Sequence, residues 1–179
     1  MTIVALSAFP ILATAGAVTK TITVSATNVS TSTVGVQQSS PDCRFLRSTD
    51  PGERSDYCVQ VVPLTILIRS NTGWSAAISA RDSASPPGKP SVKSSALRFG
   101  LLAPVRYSDA ASSPHLSDKA MTLGSGRAAG SQYSLYFYVR VNHGDDLASF
   151  SPIVTISVSS PGGGIAAQLV IRLGFHPVG

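Results

Sequence analysis

The chain has 179 residues, with 14 Lys and Arg against 9 Asp and Glu, a formal net charge of +5, and only 13% charged residues. An average soluble domain carries about 25% charged residues; here Ser, Thr, Gly and Ala take their place, as suits an exported β protein. The length accommodates one domain with a sizeable core, and basic residues scattered singly, without interleaved aromatics, exclude a nucleic-acid-binding face.

The first element is the apolar run MTIVALSAFPILATAGA, residues 1–17. Ile3 to Leu12 has the length of a signal-peptide core, Pro10 would break a helix just before the small residues that follow, and Ala13-Thr14-Ala15 or Ala15-Gly16-Ala17 offers a cleavage site. The expectation is a secreted or cell-surface protein whose single domain spans residues 18–179. A retained structural strand is the second reading, since the first basic residue is Lys20. A membrane anchor is disfavoured, because the run falls short of the roughly 20 residues a spanning helix needs.

Beyond Lys20 the pattern becomes that of short strands between turn residues. Thr21 to Ala26 alternates β-branched and small residues, and Ser32 to Gln37 reads as a second short strand. Cys43 and Cys58 are the only cysteines, and they bracket the charged stretch CRFLRSTDPGERSDYC. In an exported protein two cysteines pair as a disulfide, here expected to pin a charged surface loop. A loop of that size contributes roughly 3 kcal/mol by chain entropy. Two thiols without a nearby His or a second Cys pair make a poor zinc site.

Val59 to Ser70 (VQVVPLTILIRS) is the strongest strand signal, interrupted by Pro63, which implies an edge strand or a bulge at which the chain switches sheets. Asn71-Thr72-Gly73 supplies a turn, and Trp74 to Ala80 returns as the expected hairpin partner. Arg81 to Ser95 reads as a long loop, and Leu97 to Tyr107 holds one strand ended by Pro104. Ser108 to Gly130, with Gly124, Gly126 and Gly130, reads as another connection. Gln132 to Asn142 alternates cleanly, and Ile153 to Ser159 with Ala166 to Phe175 closes the chain as a hairpin across a Gly-rich loop. Seven to eight strands and no convincing amphipathic helix predict an all-β fold, an Ig-like antiparallel β-sandwich, with a closed barrel as the alternative.

The segments VPLTILIRSNTGWSAAIS, YSLYFYVRVN and PIVTISVSS together resemble bacterial surface and fimbria-type β-sandwich subunits. The resemblance covers Val59 to Ala80 and Gln132 to Ser160. It implies a non-enzymatic structural or adhesive protein that polymerises by lending a terminal strand to a neighbour. The lending stretch would be Val18 to Val29, with Thr21, Ile22, Thr23 and Val24 as the arm. Self-association or contact with cell-envelope components is the implied partnership. Independently of the resemblance, a Thr/Val-rich arm can satisfy a neighbour's unpaired sheet edge. The simpler reading, and the one preferred on the residues alone, is that Thr21 to Ala26 pairs within its own sheet.

No chemistry-bearing motif stands beside this pattern. The sequence holds no GxSxG, HExxH or P-loop, and the reading is a non-enzyme without a cofactor. His115, His143 and His176 lie far apart. The glycines from 124 to 130 lack the Lys-Ser/Thr ending of a phosphate loop, and Asp145 and Asp146 after His143-Gly144 read as a solvated turn ahead of a calcium site. Asn28-Val29-Ser30 matches the glycosylation triplet. The alternative function is a secreted carbohydrate-binding module that stacks sugars on Trp74, Tyr136, Tyr138 or Tyr133, although Trp74 reads first as a core or inter-sheet residue. A hydrolase would require a compact His-Ser-Asp cluster.

Overall fold

The computed structural model describes residues 21–24, 31–82 and 92–178. The proposed leader and its cleavage sites, the end of the first expected strand, the Asn28 triplet and most of the Pro/Ser-rich loop after Arg81 lie outside the described residues.

The fold is an all-β sandwich of two separate sheets, not a closed barrel. Its strands are β1 (Thr21–Val24), β2 (Ser32–Gln38), β3 (Asp42–Leu46), β4 (Ser55–Gln60), β5 (Leu64–Ser70), β6 (Trp74–Arg81), β7 (Leu97–Gly100), β8 (Met121–Gly126), β9 (Ala129–Asn142), β10 (Ile153–Ser159), β11 (Ile165–Arg172) and β12 (His176–Pro177). One sheet runs β1-β11-β10-β6-β8; in the other, hydrogen-bonded neighbours follow β12-β3-β4-β9-β5-β2, with β7 also on β9. Every pairing is antiparallel except that of β12 with β3.

Among the described residues eleven strands have four residues or more and β12 has two, which exceeds the expected seven to eight. The additional strands come from two stretches read as connections. The disulfide loop is strand at both ends, because β3 pairs with β4 from Cys43↔Gln60 to Leu46↔Tyr57. Exposed Asp42 and Arg44 alternate there with buried Cys43 and disguise the strand. Met121–Gly126 is a strand despite its glycines, since aromatic rings take the space that side chains would fill. A Cβ on Gly126 would lie 2.7 Å from Trp74 ring carbons, and one on Gly124 2.5 Å from the Tyr133 hydroxyl.

The expected hairpin across Asn71-Thr72-Gly73 does not form. β5 pairs with β2 and β9, whereas β6 pairs with β10 and β8, so the chain crosses there from one sheet to the other. The cause lies in partners remote in sequence, since β2 and β9 occupy the two edges of β5 and β10 and β8 those of β6. Leu64, Ile66 and Ile68 of β5, with Trp74, Ala76, Ile78 and Ala80 of β6, are all buried in one core, where they pack across the sandwich. Pro63 sits in an irregularity within one sheet and does not switch sheets. Five steps from Val59 to Leu64 face three from Tyr138 to Leu135, so two extra residues are absorbed between β4 and β5 along β9.

β10 and β11 form the expected terminal hairpin, with Gly163 at φ +84° in its turn, a conformation glycine adopts without strain. The core between the sheets is built from alternate residues such as Leu135, Phe137 and Val139 of β9 against Val154, Ile156 and Val158 of β10. The opposite face of β9 carries a second apolar layer. Tyr57, Val59 and Tyr138 are covered there by a six-residue helix, α1 (Tyr107–Ser112), through buried Ala110.

Candidate functional site

Three features stand outside the core: the sheet edge filled by β1, the tyrosine layer beneath α1, and a cleft beside the β7–α1 connection.

β1 is the outermost strand of its sheet and pairs with β11 from Thr21↔Val170 to Val24↔Ala167. Ile22 and Val24 are in register with buried Leu169 and Ala167, and Thr21 and Thr23 with half-buried Val170 and Gln168. This alternation matches that of β11 and gives the arm a defined register. The four arm residues Thr21, Ile22, Thr23 and Val24 therefore sit on an edge of their own sheet. Their neighbour in sequence, β2, belongs to the other sheet.

Cys43 and Cys58 form the disulfide, with sulfurs 2.06 Å apart and both residues fully buried. The bond joins diagonal positions of β3 and β4, so it fastens an outer strand to the sheet. Beyond it, β3 is bordered only at Asp42 and Cys43 by β12, whose flanks donate from His176 N to the Pro41 carbonyl at 2.7 Å and from Val178 N to the Cys43 carbonyl at 2.9 Å.

The tyrosine layer is a packed support with a charged rim. Tyr57 lies 4.9 Å from Tyr107 and 6.3 Å from Tyr138 between ring centroids, and the Arg98 guanidinium sits over the Tyr57 ring at 5.9 Å. At its edge, Arg140 Nη2 donates to both Glu53 carboxylate oxygens at 3.0 Å, and its Nε donates to Ser55 Oγ at 2.7 Å. Ser55 Oγ also donates to Glu53 at 2.8 Å and lies 2.9 Å from the Tyr107 hydroxyl. The Ser55 hydrogen bond, then that of Arg140, holds the Glu53 carboxyl down at about 2. Burial raises both Tyr57 and Tyr138 above the ordinary phenol value. This network clasps the disulfide-bounded loop to β9 and α1, with its charges mutually satisfied.

Of the candidate stacking residues, Trp74 is 4% exposed and Tyr138 1% exposed. Neither ring presents a face to solvent, because each is a packing element. Trp74 stands edge-on to Tyr133 at 6.2 Å, and the Tyr138 ring is enclosed beneath α1. Tyr136 and Tyr133 are half-buried against the same two layers. The four rings are divided between the two layers and do not form one platform.

The glycines at 124 and 126 belong to strand β8. Asp145 accepts from the Asn142 backbone N–H at 2.8 Å and Asp146 from that of Ala148 at 3.1 Å, so both carboxylates shape the turn after β9. Among the described residues no group of three or more His, Cys, Asp or Glu is placed to hold a metal ion. No helix among them is long and apolar enough to cross a membrane.

The cleft was not legible from composition. It has a volume of about 620 Å³ and is walled by Phe99, Leu101, Leu102, Pro104 and Leu123, with the Asp109 carboxylate at one side. Leu101 is 53%, Leu102 83% and Val105 75% exposed. The signal lay in the sequence as RFGLLAPV, which reads equally well as a strand. Asp109 turns the chain out of that strand by accepting from the backbone N–H groups of Val105 at 3.2 Å and Arg106 at 2.9 Å, which starts α1.

No protein-family model matches this chain, and no curated protein matches it in sequence.

Proposed function

We propose that this chain is a secreted, non-enzymatic structural or adhesive subunit of a cell surface, assembling with its own copies by exchange of the β1 arm. The observation that carries the reading is the position of β1. It is a four-residue strand at the outer edge of its sheet, joined in sequence to a strand of the opposite sheet. Its attachment to β11 uses main-chain groups and a simple alternation, so the same segment from a second copy fits the same edge equally well. Loss of an intramolecular arm is compensated by gain of an identical one, which makes exchange a low-cost route to association.

Other features agree with this reading. A buried disulfide suits an oxidising compartment. The polar clusters at Glu53–Arg140 and Asp145–Asn142 are internally hydrogen-bonded. The test is electron microscopy and sedimentation of the purified chain beside an Ile22→Pro/Thr23→Pro variant. Successive N–H groups in a strand point to opposite sides, so one of the two prolines removes a bond to β11. Assemblies in the wild type that vanish in the variant support the reading. A wild type that stays monomeric at high concentration sinks it.

A further inference from the structure

We propose that the outer face of β6, β10 and β11 is a binding surface for an acidic polysaccharide, held by Arg81 and Arg172. The five strands of the β1-β11-β10-β6-β8 sheet carry only two charged side chains, Arg81 at the end of β6 and Arg172 at the end of β11, and both are exposed. Both are in register with Ile153 of β10, one from each side. Residues opposite one another in a sheet project from the same face, so the two guanidinium groups rise from one surface, with one strand between them and their backbones about 10 Å apart. Among the described residues neither is paired with a carboxylate.

The rest of this face is small and polar. Next to the arginines lie Ser79, Thr155 and Val170 in one row, and Ala77, Ser157 and Gln168 in the row beyond. All six are half-buried, while the alternate residues of the same strands form the core. Charge identifies the occupant: two cations on a face without an acid attract a chain of repeated negative charge. The hydroxyl and amide groups beside them can hydrogen-bond the ring hydroxyls of a sugar. Other polyanions fit less well. A lipid surface calls for large apolar side chains that insert, and the outer face of these strands offers only Ile153 and Val170, both half-buried. A nucleic acid calls for more cations or for stacking aromatics, and Trp74, the one aromatic residue of the three strands, is buried in the core.

The test is isothermal titration calorimetry of the full chain with sodium polygalacturonate, and with neutral dextran as the control. The wild type is compared with Arg81→Gln/Arg172→Gln and with Arg44→Gln/Arg47→Gln. Arg44 and Arg47 are exposed in and just after β3 of the other sheet, so both variants remove two positive charges from the surface. Far-UV circular dichroism verifies that both fold. The wild type is expected to bind polygalacturonate and not dextran, with an affinity that falls as salt rises. Arg81→Gln/Arg172→Gln weakens binding by about 10-fold, the sum of two exposed ionic contacts. Arg44→Gln/Arg47→Gln weakens it by less than about 2-fold, because charges beyond a Debye length are screened. A wild type that does not bind polygalacturonate overturns the proposal. Equal weakening in the two variants overturns it too, by tracing the binding to net charge. So does a preference for anionic phosphatidylglycerol vesicles through Arg81 and Arg172, which would assign the face to a lipid surface. Association of copies is not required: a monomer that binds the polymer supports this surface while sinking the arm reading.

Discussion

Two glycines in strands are expected to respond to the same substitution with opposite signs. Gly126 of β8 lies under the Trp74 indole, where an added Cβ would stand 2.7 Å from Cε2 and Cζ2 and 2.8 Å from Nε1. The indole is 4% exposed and edge-on to Tyr133, so it has little room to retreat. Overpacking of this kind costs about 1–3 kcal/mol, against a gain of about 0.5–1 kcal/mol from replacing a strand glycine by alanine. Gly126→Ala should therefore destabilise by about 1–2 kcal/mol, lowering Tm by roughly 2–8 °C for a chain of this size. Gly35 of β2 has nothing within 4 Å of an added Cβ. There only the favourable term survives, and Gly35→Ala should raise Tm by roughly 1–4 °C. Thermal melts by circular dichroism measure both. Trp74, the only tryptophan, reports the local shift in Gly126→Ala as a change in emission. Shifts of the same sign in the two variants would refute the seating of Trp74 on β8 and the placement of that edge.

The Cys43→Ser/Cys58→Ser variant should lose about 3 kcal/mol in urea unfolding, and a loss below about 1 kcal/mol would mean that β3 is held by other contacts. Glu53 titrates near 2 when folded, below its ordinary value of 4.5. Its contribution to stability is therefore complete above pH 4.5 and is lost as pH falls through about 2; Tm measured across that window should drop less in Glu53→Gln than in the wild type.

Strands whose alternation is carried by branched and aromatic residues were legible in the sequence. Ile153–Ser159 coincides with its expected bounds, and Ser32–Gln38 and Ala129–Asn142 extend theirs by one and three residues. Legibility failed where a neighbour from the other side of the fold decides the local structure. Gly124 and Gly126 read as loop because the rings that complete their strand come from β6 and β9. The turn at Asn71–Gly73 was visible, but not whether the strands flanking it lie side by side or face to face. Both arrangements bury the same alternate residues, and only partners remote in sequence (β2, β9, β10) decide between them. The tyrosines of β9 illustrate the same limit. An outward-facing Tyr138 is a binding surface unless something covers it, and the covering helix comes from a segment with no helical periodicity, anchored by Ala110 and started by Asp109. The arm was legible as a strand, and its register against β11 follows from matching alternation.

The most direct test of strand exchange mixes two single variants, Thr23→Cys and Gln168→Cys, whose positions are opposite one another in the β1–β11 register. After co-incubation and mild oxidation, a covalent heterodimer can form across this register only if the arm of one copy lies on β11 of another. The account predicts that heterodimer on non-reducing gels, with the cross-link mapped by mass spectrometry to positions 23 and 168 and its yield rising with concentration. Its absence from the mixture, while the Thr23→Cys/Gln168→Cys double variant closes efficiently within single chains, would contradict strand exchange.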